Sequence, residues 1–356
     1  MKLDQTIIVP IILCGGPGVR LWPASRDQKP KQFLSFGKDH SLFQDTVLRV
    51  ADGARFGLKF DPPIISSGHA HRFLVAEDLR AIGVSAEIVL EPERRDSAAA
   101  IISAMRLAQK RNPTSLALVL ASDHSIPNTD EFLDHVAKAA CTASTGYFTL
   151  FGIKPDKASV DYGYIQPGSA LSGSLDVLSV LDFKEKPNLE TAERYISEGF
   201  LWNSGNFICQ PSAFLAEAIK LAPEIANPAI EAADNSRING DFLHLETAAF
   251  KMAKALSVDY AILEKTDKAA VLPSDFSWSD VGTWKALHDV QHKDGNGNTV
   301  IGNGRVFDTF NSLVMSDGQI VILAGLQDIV VVATADAVLV GPIGMSAELK
   351  KIVSSL

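Results

Sequence analysis

Residues Ile7–Phe33, with the sequence IIVPIILCGGPGVRLWPASRDQKPKQF, decide how this chain folds. The seven apolar residues at positions 7–13 form an unbroken run, which is typical of a parallel-sheet strand because both of its faces are covered. Glycines follow at positions 15, 16 and 18, where backbone N–H groups can approach a polyphosphate closely. The stretch therefore predicts an α/β fold that begins with a buried strand and a phosphate-wrapping loop.

Two commoner glycine loops do not fit this stretch. A Walker loop ends in Gly-Lys-Ser/Thr, whereas this loop continues as Gly18-Val19-Arg20. A dinucleotide-binding loop needs Gly or Ala where Leu21 stands, and Trp22-Pro23 stops the helix that should begin there. The loop instead offers two spaced cations, Arg20 and Lys31, which suit a triphosphate whose charge grows on a leaving pyrophosphate.

Composition excludes several classes of protein. The chain has 356 residues, of which 46% are hydrophobic, enough for one large α/β domain and a smaller one. Its net charge of −9 argues against a nucleic-acid-binding surface. No stretch approaches the roughly 20 apolar residues of a membrane span, and the three cysteines lack metal-ligand spacing. We therefore expect a cytoplasmic protein with free thiols that binds neither nucleic acid nor membrane.

Polar residues follow two further predicted strands at their carboxyl ends, where open α/β sheets bind ligands. Glu87–Leu90 leads into Glu91 and then Asp96-Ser97-Ala98 at a helix start, which predicts either a base-reading turn or a simple N-cap. Leu116–Leu120 leads into Ser122-Asp123. Because Mg²⁺ prefers one or two carboxylates together with phosphate oxygens, Asp123 is the first predicted metal ligand.

The later chain supplies more polar turns and a change of pattern. Glu185 and Lys186 end a predicted strand, and adjacent strand residues reach one pocket only if the chain bends there. Asn203 offers a donor and an acceptor to paired hydroxyls. Helices are predicted over 214–221 and 242–256. From residue 288 short β-like pieces predict a small β-solenoid or sheet.

In this order the motifs resemble those of the sugar-1-phosphate nucleotidyltransferase family, specifically its mannose-1-phosphate guanylyltransferases. The run at 15–23, the Pro30–Phe33 motif and the Trp278–Gly282 turn carry the resemblance most clearly. It implies a Rossmann-like, mostly parallel, GT-A-like catalytic domain over 1–287. A short left-handed β-helix-like domain would follow over 288–356, with a homodimer as the assembly.

The resemblance also implies the reaction and its residues. GTP and mannose 1-phosphate would give GDP-mannose and pyrophosphate through Mg²⁺-dependent in-line attack on the α-phosphorus. The implied catalytic residues are Arg20, Lys31 and Lys186, and the implied metal ligands are Asp123 and Asp280. The implied nucleotide-binding residues are Leu13, Gly15, Gly16, Gly18, Glu91, Asp96, Ser97, Ala98 and Ser122. The implied sugar-phosphate-binding residues are Gly163, Glu185, Lys186 and Asn203.

Two departures from the family pattern keep alternatives open. Asp96 stands where the family usually has Asn, and Ala158–Asp161 replaces a Pro-Glu-Thr-Gly run. Since these positions concern the base and the sugar, one alternative is a nucleotidyltransferase for another sugar phosphate or nucleotide. The other is a non-catalytic subunit that binds a nucleotide-sugar.

Overall fold

The first strand, β1 (Ile7–Cys14), lies within a twelve-stranded sheet in a computed structural model that describes residues 6–16, 19–353 and 355. Six of its eight residues are buried, and it pairs in parallel with β2 (Lys59–Phe60), β3 (Ile64–Gly68) and β5 (Leu116–Ala121). The buried parallel strand predicted from the apolar run is therefore confirmed.

The rest of this sheet is mixed. Its other strands are β4 (Glu87–Glu91), β6 (Phe148–Ile153), β7 (Gly163–Ala170), β8 (Leu178–Glu185), β9 (Leu201–Cys209), β10 (Arg237–Asn239), β11 (Phe242–His244) and β12 (Ala269–Ser274). The strand order is β10-β11-β4-β3-β1-β5-β9-β6-β12-β8-β7, with β2 added beside β1. The strands from β11 to β5 are parallel, whereas β9 runs antiparallel to both of its central neighbours.

Helices connect the strands of the chain. They are α1 (Leu42–Arg49), α2 (Arg72–Ala81), α3 (Asp96–Arg111), α4 (Thr129–Ala143), α5 (Leu189–Ser197), α6 (Pro211–Leu221), α7 (Pro223–Asp234), α8 (Thr247–Met252), α9 (Trp284–Val290) and α10 (Ser346–Val353). Among the residues that the structure describes, no helix combines the length and the apolar character needed to cross a bilayer.

The chain packs into two compact units, of which unit 1 comprises residues 1–15, 46–122 and 126–278. Its core is organised around α3, which packs against α6, α7 and β1. Small buried residues such as Ala98, Ala104 and Ala229 allow these helices to approach closely. Ser103 Oγ donates to the Ala229 carbonyl at 3.0 Å, which fixes the register of α3 against α7.

Unit 2 comprises residues 16–45, 123–125 and 279–356. Its sheet contains β13 (Thr299–Phe307), β14 (Leu313–Ala324), β15 (Ile329–Ala333) and β16 (Val338–Pro342), and the first three are parallel. One buried cluster joins apolar residues of the early loop, the turn at 281–287 and the C-terminal strands: Leu21, Leu34, Phe36, Leu42, Val281, Trp284, Leu287, Ile301, Leu313, Met315, Val330, Val332, Leu339, Ile343 and Leu349. The early loop and the C-terminal strands thus share one core.

One predicted helix is wrong. Residues 242–256 contain β11 and the shorter α8 instead of one continuous helix. Phe242 and His244 are in register with Ile88 and Leu90 of β4, so strand pairing overrides the helical spacing of the local sequence.

Candidate functional site

Within unit 2, Lys31 joins the two predicted metal ligands. Lys31 opens a single 3₁₀ turn, and its side chain is 7% exposed. Its Nζ lies 2.7 Å from Asp123 Oδ2 and also donates to the backbone carbonyl of Asp280. The fold therefore brings these three residues to one place, although they are far apart along the chain.

The Lys31 contact fixes the charge of Asp123. Burial works to raise the pKa of the Asp123 carboxyl, but the Lys31 ammonium and the neighbouring His124 act in the opposite direction and lower it. Asp123 is therefore an ionised carboxylate, the form that a divalent cation requires. No group of three or more His, Cys, Asp or Glu side chains among the described residues is arranged to hold a metal ion.

A strained turn holds Asp280. Val281 has a φ of 45°, which is unusual for a β-branched residue, and its side chain is locked in the core of unit 2. Gly282 N donates to Asp280 Oδ1 at 3.1 Å. A Cβ at position 282 would collide with the Asp280 carboxylate and lie 3.0 Å from Arg20 Nη2, so any larger residue here would displace one of these side chains. The Arg20 guanidinium and the Asp280 carboxylate therefore both lie next to Gly282.

Within unit 1, the chain bends where Glu185 and Lys186 meet. β8 ends at Glu185, and Lys186 takes the left-handed conformation with a φ of 50°. This bend lets Lys186 Nζ lie 2.8 Å from Glu185 Oε1. The expectation that a bend brings both side chains to one pocket is met by this geometry.

Gly163 and Asn203 complete the same cluster. A Cβ on Gly163 would lie 2.5 Å from Glu185 Oε2 and 3.3 Å from Asn203 Cβ, so the two side chains crowd the space above the glycine. Asn203 is 8% exposed and belongs to β9. It is therefore a buried strand residue, although runs such as Asn203–Asn206 often form exposed turns. Its Oδ1 accepts from Gly205 N at 3.1 Å.

The stretch that departs from the family pattern is pinned by an aromatic residue. The buried Tyr164 hydroxyl accepts from Ser159 N and donates to Ser159 O, both at 3.0 Å. Nearby, Tyr162 packs edge-on against Trp202 and Trp278. Within the altered run itself, Ser159 Oγ accepts from Asp161 N at 3.2 Å, so both backbone and side-chain contacts hold this segment.

Two acids near this cluster were not singled out by the sequence analysis. Asp259 Oδ1 accepts from Asn203 Nδ2 at 3.1 Å, and Glu264 Oε1 accepts from Glu185 N at 3.0 Å. Both lie in the stretch Ser257–Glu264, which forms one turn of π-helix over Asp259–Leu263. The π-helical turn, a feature that often marks functional sites, is visible only in the structure, so the residue pattern of this mostly apolar stretch did not single them out.

The predicted base-reading turn has an unusual backbone. Asp96 has a φ of 61°, a conformation in which Asn and Asp are enriched, and its Oδ1 accepts from Ser97 N at 2.8 Å. Ser97 Oγ accepts from Val258 N at 2.9 Å, and Ala98 N donates to Leu256 O. α3 begins at Asp96, and Arg95 before it makes no side-chain capping bond, so among the described residues the capping-type contact at this helix start is the one from Ser97 N to the Asp96 carboxylate.

The other predicted nucleotide residues lie at the carboxyl ends of β1, β4 and β5. Leu13 O accepts from Ser122 N, and Ser66 Oγ donates to Glu91 Oε1 at 2.8 Å. Burial raises the pKa of Glu91 to about 7, although the bond from Ser66 works to lower it. Gly15 and Gly16 have open space where a Cβ would stand. Gly18 lies outside the described residues.

Two buried polar atoms near this sheet edge lack a hydrogen-bond partner in the part of the chain that the structure describes. They are Ser122 Oγ and Asn206 Nδ2. Asn206 Oδ1 accepts from Ala121 N at 3.1 Å, so its amide is oriented. Elsewhere in unit 1 a cavity of about 1060 Å³ lies between α4 and β12, but its lining includes none of the predicted site residues.

The comparisons with known families divide the chain in two. A sequence model described as nucleotidyl transferase matches residues 9–297. A second, described as MannoseP isomerase/GMP-like beta-helix domain, matches residues 302–356. The α/β fold followed by a β-helix-like domain is therefore confirmed.

Several characterised proteins are similar over almost the whole chain. Mannose-1-phosphate guanylyltransferase 2 of Escherichia coli O157:H7 is 40% identical over 99% of this chain and 74% of its own length. The xanthan biosynthesis protein XanB of Xanthomonas campestris is 40% identical over 98% of this chain and 73% of its own. A crystal structure from Thermus thermophilus, described as a mannose-1-phosphate geranyltransferase, is 27% identical with a TM-score of 0.84, covering 100% of this chain and 99% of that one.

Proposed function

Because the chain belongs to the nucleotidyl transferase family, as a relative of the mannose-1-phosphate guanylyltransferases, we propose that it transfers GMP from GTP to α-D-mannose 1-phosphate. The products are GDP-mannose and pyrophosphate. A phosphate oxygen of the sugar attacks the α-phosphorus of GTP in line with the leaving pyrophosphate, and no covalent enzyme intermediate is needed.

One observation carries this proposal beyond the family relationship. It is the contact of the buried Lys31 ammonium with the Asp123 carboxylate and the Asp280 carbonyl. A cation and two aspartates held together in this way are suited to stabilising charge that develops on phosphates. The chemistry is therefore orientation and charge neutralisation rather than nucleophilic catalysis by a side chain.

One set of groups serves the triphosphate. Arg20 and Lys31 neutralise the departing pyrophosphate, and Arg20 Nη2 lies next to the turn at Gly282. Asp123 and Asp280 would hold Mg²⁺, and their donor set fits that ion because Mg²⁺ uses one or two carboxylates and takes its other ligands from phosphate and water. When bound, the ion supplies charge neutralisation at the phosphates.

A second set of groups serves the base and the sugar phosphate. Glu91, Asp96, Ser97, Ala98 and Ser122 bind the nucleotide, together with the backbone of Leu13, Gly15, Gly16 and Gly18. Gly163, Glu185 and Asn203 bind the sugar hydroxyls, and the exposed tip of Lys186 aligns the attacking phosphate. We further propose a homodimer and a cytoplasmic location, the latter because the free cysteines suit a reducing compartment.

Pyrophosphate release by the purified protein tests this function. GTP, ATP, UTP and dTTP are crossed with mannose and glucose 1-phosphates in the presence of Mg²⁺. Rapid turnover of GTP with mannose 1-phosphate alone supports the proposal. Preferred turnover of another pair would assign the chain to a different sugar phosphate or base, and GDP-mannose binding without turnover of any pair would make it a non-catalytic subunit.

A further inference from the structure

Asp259 lies against the sugar-phosphate residues but has no part in the function proposed above. Its Oδ1 accepts the hydrogen bond from Asn203 Nδ2 at 3.1 Å. Because Asn203 Oδ1 is already held by Gly205 N, the Asp259 contact fixes the orientation of the whole amide. Asp259 is therefore placed to position Asn203.

The carboxyl of Asp259 also interacts electrostatically with a second, nearly buried carboxyl that lies beside the same Asn203. The Glu185 side chain is 9% exposed, and its charge repels that of Asp259. Burial away from water, and then the Glu185 charge, raise the pKa of Asp259 to about 7, while Lys186 and the Ser257 hydroxyl act in the opposite direction. The remaining polar neighbours on the packed elements are Tyr260, Glu264 and Asn203.

Among the described residues named here, Lys186 is the one with a positively charged side chain, and that side chain is more exposed to solvent than the carboxyl of Glu185. Its ammonium lies 2.8 Å from Glu185 Oε1, yet its side chain is 56% exposed. An ammonium in this position can turn from the carboxylate toward an incoming phosphate. When it does, the two carboxyls lose their compensating charge while a new anion arrives nearby, and both effects favour protonation.

We propose that Glu185 and Asp259 form a carboxyl pair that takes up a proton from solvent when the sugar phosphate engages Lys186, and that Asp259 thereby positions Asn203 and Glu185 for the hexose. This inference rests on the proposed function, because that function assigns the sugar phosphate to Lys186. A protonated carboxyl can donate a hydrogen bond to a sugar oxygen, which two carboxylates cannot do. Sugar binding and proton uptake are then a single event.

Calorimetric titration of the 356-residue protein with GDP-mannose tests the pair. This ligand is chosen because its diphosphate does not itself titrate near neutral pH. Repeating the titration in buffers of different ionisation enthalpy counts the protons taken up per ligand bound. We expect about half a proton at pH 7 and nearly one at pH 8 for the wild type, since the pKa of Asp259 is about 7 in the free protein.

Asp259→Asn preserves an acceptor for Asn203 but removes one carboxyl, so it should take up almost no proton. Asp182→Asn is the control, because it changes a 43% exposed acid on β8, the strand that carries Glu185. This variant should take up as many protons as the wild type. Equal proton uptake by the wild type and Asp259→Asn would overturn the pair while leaving the proposed function intact. A lack of GDP-mannose binding by the wild type would overturn both.

A second measurement needs no variant. If binding takes up one proton, the Kd of the wild type for GDP-mannose should rise on the order of tenfold per pH unit above pH 8. A Kd that is constant between pH 7 and pH 9 would overturn the pair even if Asp259→Asn could not be purified in folded form.

Discussion

Lys31 Nζ lies 2.7 Å from Oδ2 of Asp123, and the same ammonium donates to the backbone carbonyl of Asp280. A residue assigned to the leaving pyrophosphate is thus in contact with a residue assigned to the metal. The lysine thereby balances the charge of the aspartate.

Removal of the Lys31 ammonium should reduce catalysis strongly. We expect Lys31→Ala to lower kcat on the order of 100-fold, about 3 kcal/mol, because a preorganised charge opposite the leaving group is lost. Steady-state pyrophosphate release measures the effect. Lys29→Ala is the matched control, since Lys29 is an exposed cation of the same loop. A Lys31→Ala enzyme within threefold of wild type would show that Lys31 does not stabilise the transition state.

Replacing either predicted metal ligand, Asp123 or Asp280, should change the Mg²⁺ dependence of activity, whereas replacing an exposed aspartate should not. Asp123→Asn and Asp280→Asn should each raise the Mg²⁺ concentration for half-maximal activity at least tenfold and lower kcat about 100-fold, because a neutral amide is a poor ligand for a hard cation. Titration of activity with Mg²⁺ checks this. Asp275→Asn serves as the control, because the Asp275 side chain is 92% exposed. An unchanged metal requirement in both site variants would remove them as ligands.

A single methyl group at position 163 should affect the sugar but not the nucleotide. Gly163→Ala places a Cβ 2.5 Å from Glu185 Oε2, so Glu185 must move. We expect the KM for mannose 1-phosphate to rise about tenfold, on the order of 1.4 kcal/mol, while the KM for GTP stays within twofold. Gly295→Ala, at an open position, should change neither constant. Equal increases of both KM values would indicate general disruption instead of a sugar contact.

The raised pKa of Glu91 predicts how stability depends on pH. Glu91 has a pKa of about 7 in the folded protein and about 4.5 when exposed, so between these values the folded state binds more protons than the unfolded state. The free energy of unfolding should therefore fall as pH rises from 4.5 to 7 and then level off. The contribution of this group is at most about 3 kcal/mol.

Replacement of Glu91 isolates that contribution. Glu91→Gln should be as stable as the wild type near pH 5 and more stable than the wild type at pH 8. Urea unfolding of both proteins at both pH values measures the difference in the free energy of unfolding. Glu77→Gln, which changes an exposed residue of α2, should follow the wild-type curve. A wild type that is more stable than Glu91→Gln at pH 8 would contradict the predicted effect of the Glu91 charge.

Local sequence was sufficient for features that depend on one strand and the turn after it. The apolar run of β1 and the acids after β4 and β5 follow from strand burial and the position of carboxyl ends, which are local properties. The bend at Lys186 could be anticipated because Glu185 and Lys186 are adjacent.

Features that depend on contacts between residues far apart in the sequence could not be predicted from local sequence. Ser97 Oγ binds Val258 N across 161 residues, and Asn203 binds Asp259 across 56. The strand at Phe242–His244 exists because β4 pairs with it, although its own sequence favours a helix. Such contacts are determined by the folded sheet, so they become visible only once the topology is known.

The shared core of unit 2 limits how this enzyme can be divided or recombined. Leu21 and Leu34, which flank the Lys31 loop, are buried together with Val281 beside Asp280 and with Leu313 and Val330 of the C-terminal strands. Replacing the C-terminal strands with those of a relative would change residues that pack against Leu21 and Leu34 on either side of Lys31. A functional chimaera would therefore have to exchange three separated pieces of chain at once, so evolution should have altered the loop and the C-terminal strands together rather than as independent modules.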